Sequence, residues 1–397
     1  MRCAADGTPR RVGLEVADIV RAYEQAYRHS HTLTLDQATV LRAIARCRTA
    51  ALGGHLDECD LCGRKTPAYD SCRNRHCPKC QGLAQAKWIA EREERILPVR
   101  HFHVVFTLPS ELHGLARFRR DTIFDLLFAS ASAALLDLAH DPRHLGANIG
   151  VTAVLHTWTR ELLFHPHVHC IVSGGGLALD GSRWISAPRR YLFPVKVLGA
   201  LLRGKILDGL RKAHARGLLD GFDDFRDPEG FDRLMRRLAG KDWVVYAKRA
   251  FGGAEQVYRY LGRYTHRVGI ANSRLVSLVE DRVTFRTKSG KAITVHAVEF
   301  LRRFLLHVLP RHFVKIRHYG LLAPSNVNTK LVVARAALGA ADTSAPVPSG
   351  RAILDELTEA HRHRRCPACK IGTLHSKPLP QPAPTGTTPS PTRRDTS

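Results

Sequence analysis

Residues 165–173 read HPHVHCIVS, of which His167 to Ser173 read as a strand, followed by three glycines, Gly174 to Gly176. In a strand, side chains repeat on one face every two residues, so His167 and His169 point the same way. Such a pair offers two imidazole nitrogens to one ion. Residues 149–158 (IGVTAVLHTW) read as a second strand. If the two pair as a hairpin, His156 lies across from the 167/169 pair, and three imidazoles converge while leaving the other side of an ion open. His165 competes as the third donor, although it precedes Pro166 and can be turned away.

Working outward, residues 101–108 (HFHVVFTL, stopped by Pro109) and 243–248 (WVVYAK) read as strands. Residues 283–287 and 293–297 form a short pair joined at Ser289-Gly290. Residues 116–138, 195–217, 255–267 and 300–309 carry helical periodicity. Strands and helices do not alternate strictly. The predicted class is therefore α+β, with a central, mainly antiparallel sheet flanked by helices. Ahead of it, residues 16–27 and 35–47 read as helices, with Asp36 a candidate cap for the second. Residues 53–81 are rich in Cys, His and Gly and show no helical period, and 83–97 read as a helix. Beyond about residue 340 the composition turns to Ala, Ser, Pro and Thr. A helix over 351–364 precedes Cys366-Pro-Ala-Cys369, and from residue 379 the Pro/Thr/Ser-rich chain is expected to be disordered. Three parts follow: a small helical, zinc-binding unit over 1–98, the sheet domain over 99–337, and a C-terminal helix with its tail over 338–397.

Within the first part, Cys59-x-x-Cys62 and Cys77-x-x-Cys80 are two knuckles separated by 14 residues, slightly closer than the usual zinc-ribbon range. They predict one closed, structural four-sulfur site. Cys72, His55 and His76 are spare donors, and Arg73, Arg75 and Lys79 around the second knuckle are candidates for phosphate contact. Cys366 and Cys369 stand alone, and one knuckle cannot close a site, although His361 or His363 could add a donor.

Residues 255–267 read EQVYRYLGRYTHR. Tyr260 and Tyr264 lie four apart and share a helix face, with Gln256 one turn earlier. Tyrosines at this spacing usually fill a core, but here Arg259, Arg263, His266 and Arg267 surround them. A phenol attacking a phosphodiester needs cationic charge and a metal nearby.

The charge balance agrees. Sixty-one Lys+Arg against 36 Asp+Glu leave +25, which argues against ordinary metabolism of neutral substrates and favours a polyanion. The excess concentrates in residues 241–270 and 301–320, where a nucleic-acid backbone would be gripped. Residues 1–15 hold no apolar secretory core, and residues 123–139 read as too short and too charged to span a bilayer. Ten cysteines in such a chain suggest thiols or metal ligands in a reducing cytoplasm.

From about residue 15 to about 335 the chain resembles the two-tyrosine HUH transposases of the insertion-sequence 91 family. The resemblance is carried by YDSCRNRHCPKCQ (69–81), HFHVVFTLP (101–109), LHTW (155–158), HPHVHCIV (165–172), WVVYAK (243–248), YLGRYTHR (260–267) and IRHYGLLA (316–323). It implies an N-terminal zinc-binding domain on Cys59, Cys62, Cys77 and Cys80. It implies Mg²⁺ or Mn²⁺ on His167 and His169, with His156 or Gln256 as third ligand. It implies nucleophiles at Tyr260 and Tyr264 and a small antiparallel nuclease sheet with the histidines on a central strand; Arg263 and Arg267, beside the tyrosines, are candidates to neutralise phosphate. The implied activity is rolling-circle transposition: cleavage and transfer of single-stranded DNA, at element ends and target, through a 5′-phosphotyrosine, with no membrane partner. A plasmid replication initiator or relaxase would share this chemistry. A zinc-ribbon DNA-binding remnant would lack it. The chain departs from the family's usual Cys-Pro-x-Cys-Gly ending, since KIGTL follows Cys369.

Overall fold

A computed structural model describes residues 13–80, 95–188, 192–248, 269–287, 289–339, 359 and 364–379. Two helices come first, α1 (Val16–Ser30) and α2 (Leu35–Arg46). Thr34, not Asp36, caps α2: its hydroxyl accepts from the Gln37 amide while Gln37 reaches back to the Thr34 amide. Asp36 instead accepts from the Arg311 amide. The cysteine-rich stretch contains two strands, β1 (Gly54–Cys59) and β2 (Lys65–Tyr69), which short alternation among polar residues had concealed.

The second part begins with β3 (His101–Thr107). The single long helix expected over 116–138 is two, α3 (His113–Phe118) and α4 (Arg120–His140), because Arg119 between them leaves helical dihedrals. The hairpin β4 (Ala147–Trp158) and β5 (Phe164–Ala178) follows, then β6 (Trp184–Ser186), α5 (Val195–Ala215), α6 (Gly230–Ala239) and β7 (Val245–Lys248). A three-stranded meander, β8 (Leu275–Val279), β9 (Arg282–Arg286) and β10 (Ala292–His296), leads into α7 (Ala297–Leu305). Next come β11 (Ile316–Gly320) and α8 (Lys330–Ala337), and β12 (Leu374–Pro378) lies near the C-terminus.

The main sheet has the order β11-β4-β5-β3-β7, with β6 on the far end of β5, and its pairings are antiparallel. This is the α+β arrangement expected, with the two histidines on the central strand. One face of β3, β4 and β5, including Phe102, Val104, Val151, Leu155, Val168 and Cys170, is buried under α3–α6. By length and composition α4 could cross a membrane, contrary to the expectation for residues 123–139. It is mostly buried inside the protein, and its apolarity on all sides serves this core.

The N-terminal helices have no core to themselves. Val16, Ile19, Val20, Leu41 and Ile44 pack with Val283, Phe285, Phe300 and Phe304 of the meander and α7. Unexpectedly, β12 pairs antiparallel with β1, from Cys59 opposite Leu374 to His55 opposite Pro378. The helices expected over 83–97, 255–267 and 351–364 fall wholly or largely on undescribed residues, and the tail beyond 379 does so entirely.

Candidate metal centres and nuclease site

The face of the sheet turned away from the α3–α6 core carries the histidines. His156 on β4 is directly opposite His167 on β5, as the hairpin reading required. Their ring centroids are 5.5 Å apart, His167 to His169 4.8 Å and His156 to His169 4.3 Å. One nitrogen from each of the three lies within 4.8 Å of the others. The His167 Nδ1 sits 2.7 Å from the His165 carbonyl. A carbonyl only accepts, so Nδ1 carries the proton and Nε2 keeps its lone pair for an ion. His165 thus contributes its backbone to orienting a ligand, and its ring stands outside the group.

One residue that sequence reasoning passed over joins them. His103, on neighbouring β3, places Nε2 2.7 Å from the His169 Nδ1, with the rings nearly parallel. Its signal was in plain sight, since HFH at 101–103 repeats the same two-residue alternation. Burial pushes His103 and His167 down to about 4, and His156 well below the ordinary histidine range, helped by the neighbouring His169. All three are therefore neutral at physiological pH, the form that ligates metals. Trp158 stacks on His156 at 4.9 Å, and Lys315 lies 4.8 Å over the Trp158 ring. Desolvation holds the Lys315 amine down to about 7. Tyr260, Tyr264, Gln256, Arg263 and Arg267 lie outside the described residues.

The cysteines form two groups rather than the single ribbon expected. Cys59, Cys62, Cys77 and Cys80 are not brought together. Cys77 and Cys80 instead meet Cys72 and Cys47, with Sγ–Sγ distances of 3.3 Å (Cys47–Cys80) and 3.6 Å (Cys72–Cys80). Cys59 and Cys62 meet Cys366 and Cys369. The reason is topological: β1 and β2 carry the first knuckle away from the second, and β12 brings the C-terminal one to it. Hydrogen bonding, first from Cys77, brings the Cys72 thiol down to about 5, and the Ile371 and Gly372 amides bring Cys369 to about 6. Within the same groups Cys47, Cys59 and Cys77 are pushed up, chiefly by burial for Cys47 and by hydrogen bonding to Cys72 for Cys77. The sulfurs thus share protons among themselves, and four clustered sulfurs are the donor set zinc takes.

The spare histidines have other work. His76 is buried, accepts from the Leu309 amide at 3.2 Å, and is pushed down to about 3 by burial. His55 leans towards Asp57, 3.4 Å away. Arg75, expected to touch phosphate, donates to the carbonyls of Phe313 and Pro310 at 2.7 and 2.6 Å. Arg73 is exposed. The charge of 301–320 is also largely spent internally: Arg302 and Arg303 clasp Glu299, and Arg317 pairs with Asp125.

Comparison with known proteins agrees with these two parts. A family model described as a transposase zinc-binding domain matches residues 19–108, and one described as "Putative transposase" matches residues 150–330. The chain is 46% identical over 380 residues to "Putative transposase y4qJ" of Sinorhizobium fredii (strain NBRC 101917 / NGR234), covering 92% of this chain and 95% of that one. It is 28% identical over 310 residues to the transposase for insertion sequence element IS801 of Pseudomonas savastanoi pv. phaseolicola, covering 73% and 70%. No solved structure matches. With a zinc-binding domain leading into the transposase-matched hairpin, the chain belongs to the insertion-sequence 91 family of transposases.

Proposed function

We propose that the chain cuts single-stranded DNA at the ends of its element, and at a target, through a 5′-phosphotyrosine on Tyr260 or Tyr264. The observation carrying this reading is the convergence of His156, His167 and His169 from two adjacent strands, with the His156 and His167 rings held neutral by burial. Three imidazoles suit a transition ion better than Mg²⁺, which prefers oxygen ligands, so Mn²⁺ is the better fit. Once bound, such an ion supplies Lewis-acid withdrawal of charge from phosphate oxygens. The His165 carbonyl holds the His167 tautomer, and the contact with His103 holds the His169 ring.

In the proposed step the phenol oxygen forms a new P–O bond, and the DNA 3′-oxygen leaves and takes up a proton. Bond count is conserved, so the 3′-hydroxyl can attack back and rejoin without ATP. A second tyrosine allows one 5′ end to be held while another strand is cut. Arg263 and Arg267 would neutralise phosphate beside the tyrosines. The setting is the bacterial cytoplasm, where the DNA lies.

The test uses purified protein, Mn²⁺ and an oligonucleotide carrying the element end. His167→Ala/His169→Ala is expected to slow nicking at least about a hundred-fold, the scale of losing one built-in charge stabiliser. Mn²⁺ should outperform Mg²⁺. If Tyr260→Phe/Tyr264→Phe still yields a covalent DNA adduct, the nucleophile assignment is wrong.

A further inference from the structure

We propose that Cys59, Cys62, Cys366 and Cys369 hold a zinc ion of their own. This ion clasps the segment following the nuclease unit onto the N-terminal domain. Four thiolates at about 2.3 Å from zinc in a tetrahedron stand about 3.8 Å from one another. Cys59 to Cys369 and Cys62 to Cys366 are both 3.7 Å. The four sulfurs lie within 4.8 Å of each other, and they come from two separate Cys-x-x-Cys knuckles.

Each knuckle also points an amide at a sulfur. The Cys62 amide approaches the Cys59 Sγ at 3.5 Å, and the Gly372 amide approaches the Cys369 Sγ at 3.3 Å. Such bonds stabilise the thiolate a metal needs. Gly372 has a further reason to be glycine: a Cβ there would come within 2.5 Å of the Cys59 Sγ. The KIGTL stretch is therefore shaped to seat against the opposite knuckle.

The surrounding structure is built for the same union. β12 extends the β1–β2 hairpin to three strands. Buried Asp57 on β1 pairs with Arg364 and accepts from the Ser376 hydroxyl at 2.6 Å, joining both sides of the C-terminal knuckle. Asp60 accepts from the Thr373 amide at 2.8 Å. The ligand pairs are some 304 residues apart in the chain, so one ion closes nearly the whole molecule into a loop.

Zinc per chain, measured by elemental analysis of the purified full-length protein, tests this independently of any DNA chemistry. Two ions are expected in the native chain, one per four-sulfur group. Cys366→Ser/Cys369→Ser and Cys59→Ser/Cys62→Ser should each lose one. Combining all four changes should lose no more than either pair, because both pairs serve the same ion. Cys369→His should retain two, since imidazole can replace the thiolate, and this guards against loss by misfolding. With the clasp removed, trypsin should cut at Arg364 and Lys370 faster than in the native chain. The proposal is overturned if Cys366→Ser/Cys369→Ser keeps both ions. It is equally overturned if the native chain holds a single ion that either Cys59→Ser/Cys62→Ser or Cys77→Ser/Cys80→Ser abolishes.

Discussion

Arg73 and Arg75 read alike in the sequence, yet they have opposite fates. Arg75 is committed to the Phe313 and Pro310 carbonyls, tying the zinc-binding domain to the chain before β11. Arg75→Ala should therefore cost about 2–3 kcal/mol in a denaturation experiment, the scale of charge-assisted bonds lost from partly buried acceptors. Arg73 is exposed, and Arg73→Ala should leave stability within about 0.5 kcal/mol. If Arg73 does touch phosphate, that change should flatten the slope of log affinity against log salt by about one. Glu299 is the residue whose protonation should be felt in stability. Arg302, then Arg303, hold its carboxyl down to about 2. A depressed acid stabilises fully above its unfolded value of 4.5, and that contribution is lost as pH falls towards 2. Glu299→Gln should weaken the protein at neutral pH and flatten the decline of melting temperature between these limits.

The hairpin β4–β5 was the most readable element, because two-residue alternation is a local property that burial on one face reinforces. His156 opposite His167 followed from pairing alone. Its length was less readable. Three glycines signal a stop, yet β5 continues through Gly174, Gly175 and Gly176 to Ala178. A Cβ on Gly176 would meet the Asn148 carbonyl oxygen at 2.5 Å, so these residues are small because neighbouring strands crowd them. Gly176→Ala should destabilise by about 1–3 kcal/mol, read from the denaturant midpoint, with no change in zinc content. β11 carries no strand signal of its own, since its five residues IRHYG are too polar to announce one.

The chain's division into parts does not coincide with its division into cores. Phe285, Phe300 and Phe304 bury the apolar faces of α1 and α2 from more than 200 residues away. A fragment ending at residue 98 would expose Ile19, Val20 and Leu41, and it should be poorly helical by circular dichroism even with zinc present. The net charge of +25 likewise needs the fold to be interpreted. Arg302, Arg303 and Arg317 are paired with acids and Lys315 lies over Trp158, so the excess over 301–320 cannot all grip DNA. That surface narrows to exposed groups such as Arg73 and Arg311.

Spacing along the chain was enough for the α+β class, the histidine strand, the knuckles and a polyanionic partner. Each depends on neighbours in sequence, where backbone geometry alone sets which side chains share a face. The partnering of the knuckles was not available there. Three Cys-x-x-Cys pairs and the isolated Cys47 and Cys72 can be grouped in several ways, and proximity in sequence favoured the wrong one. β12 alongside β1, and α2 delivering Cys47, settle the grouping through contacts between distant segments. The same holds for Arg75 and His76, whose backbone partners near residue 310 no local pattern could indicate.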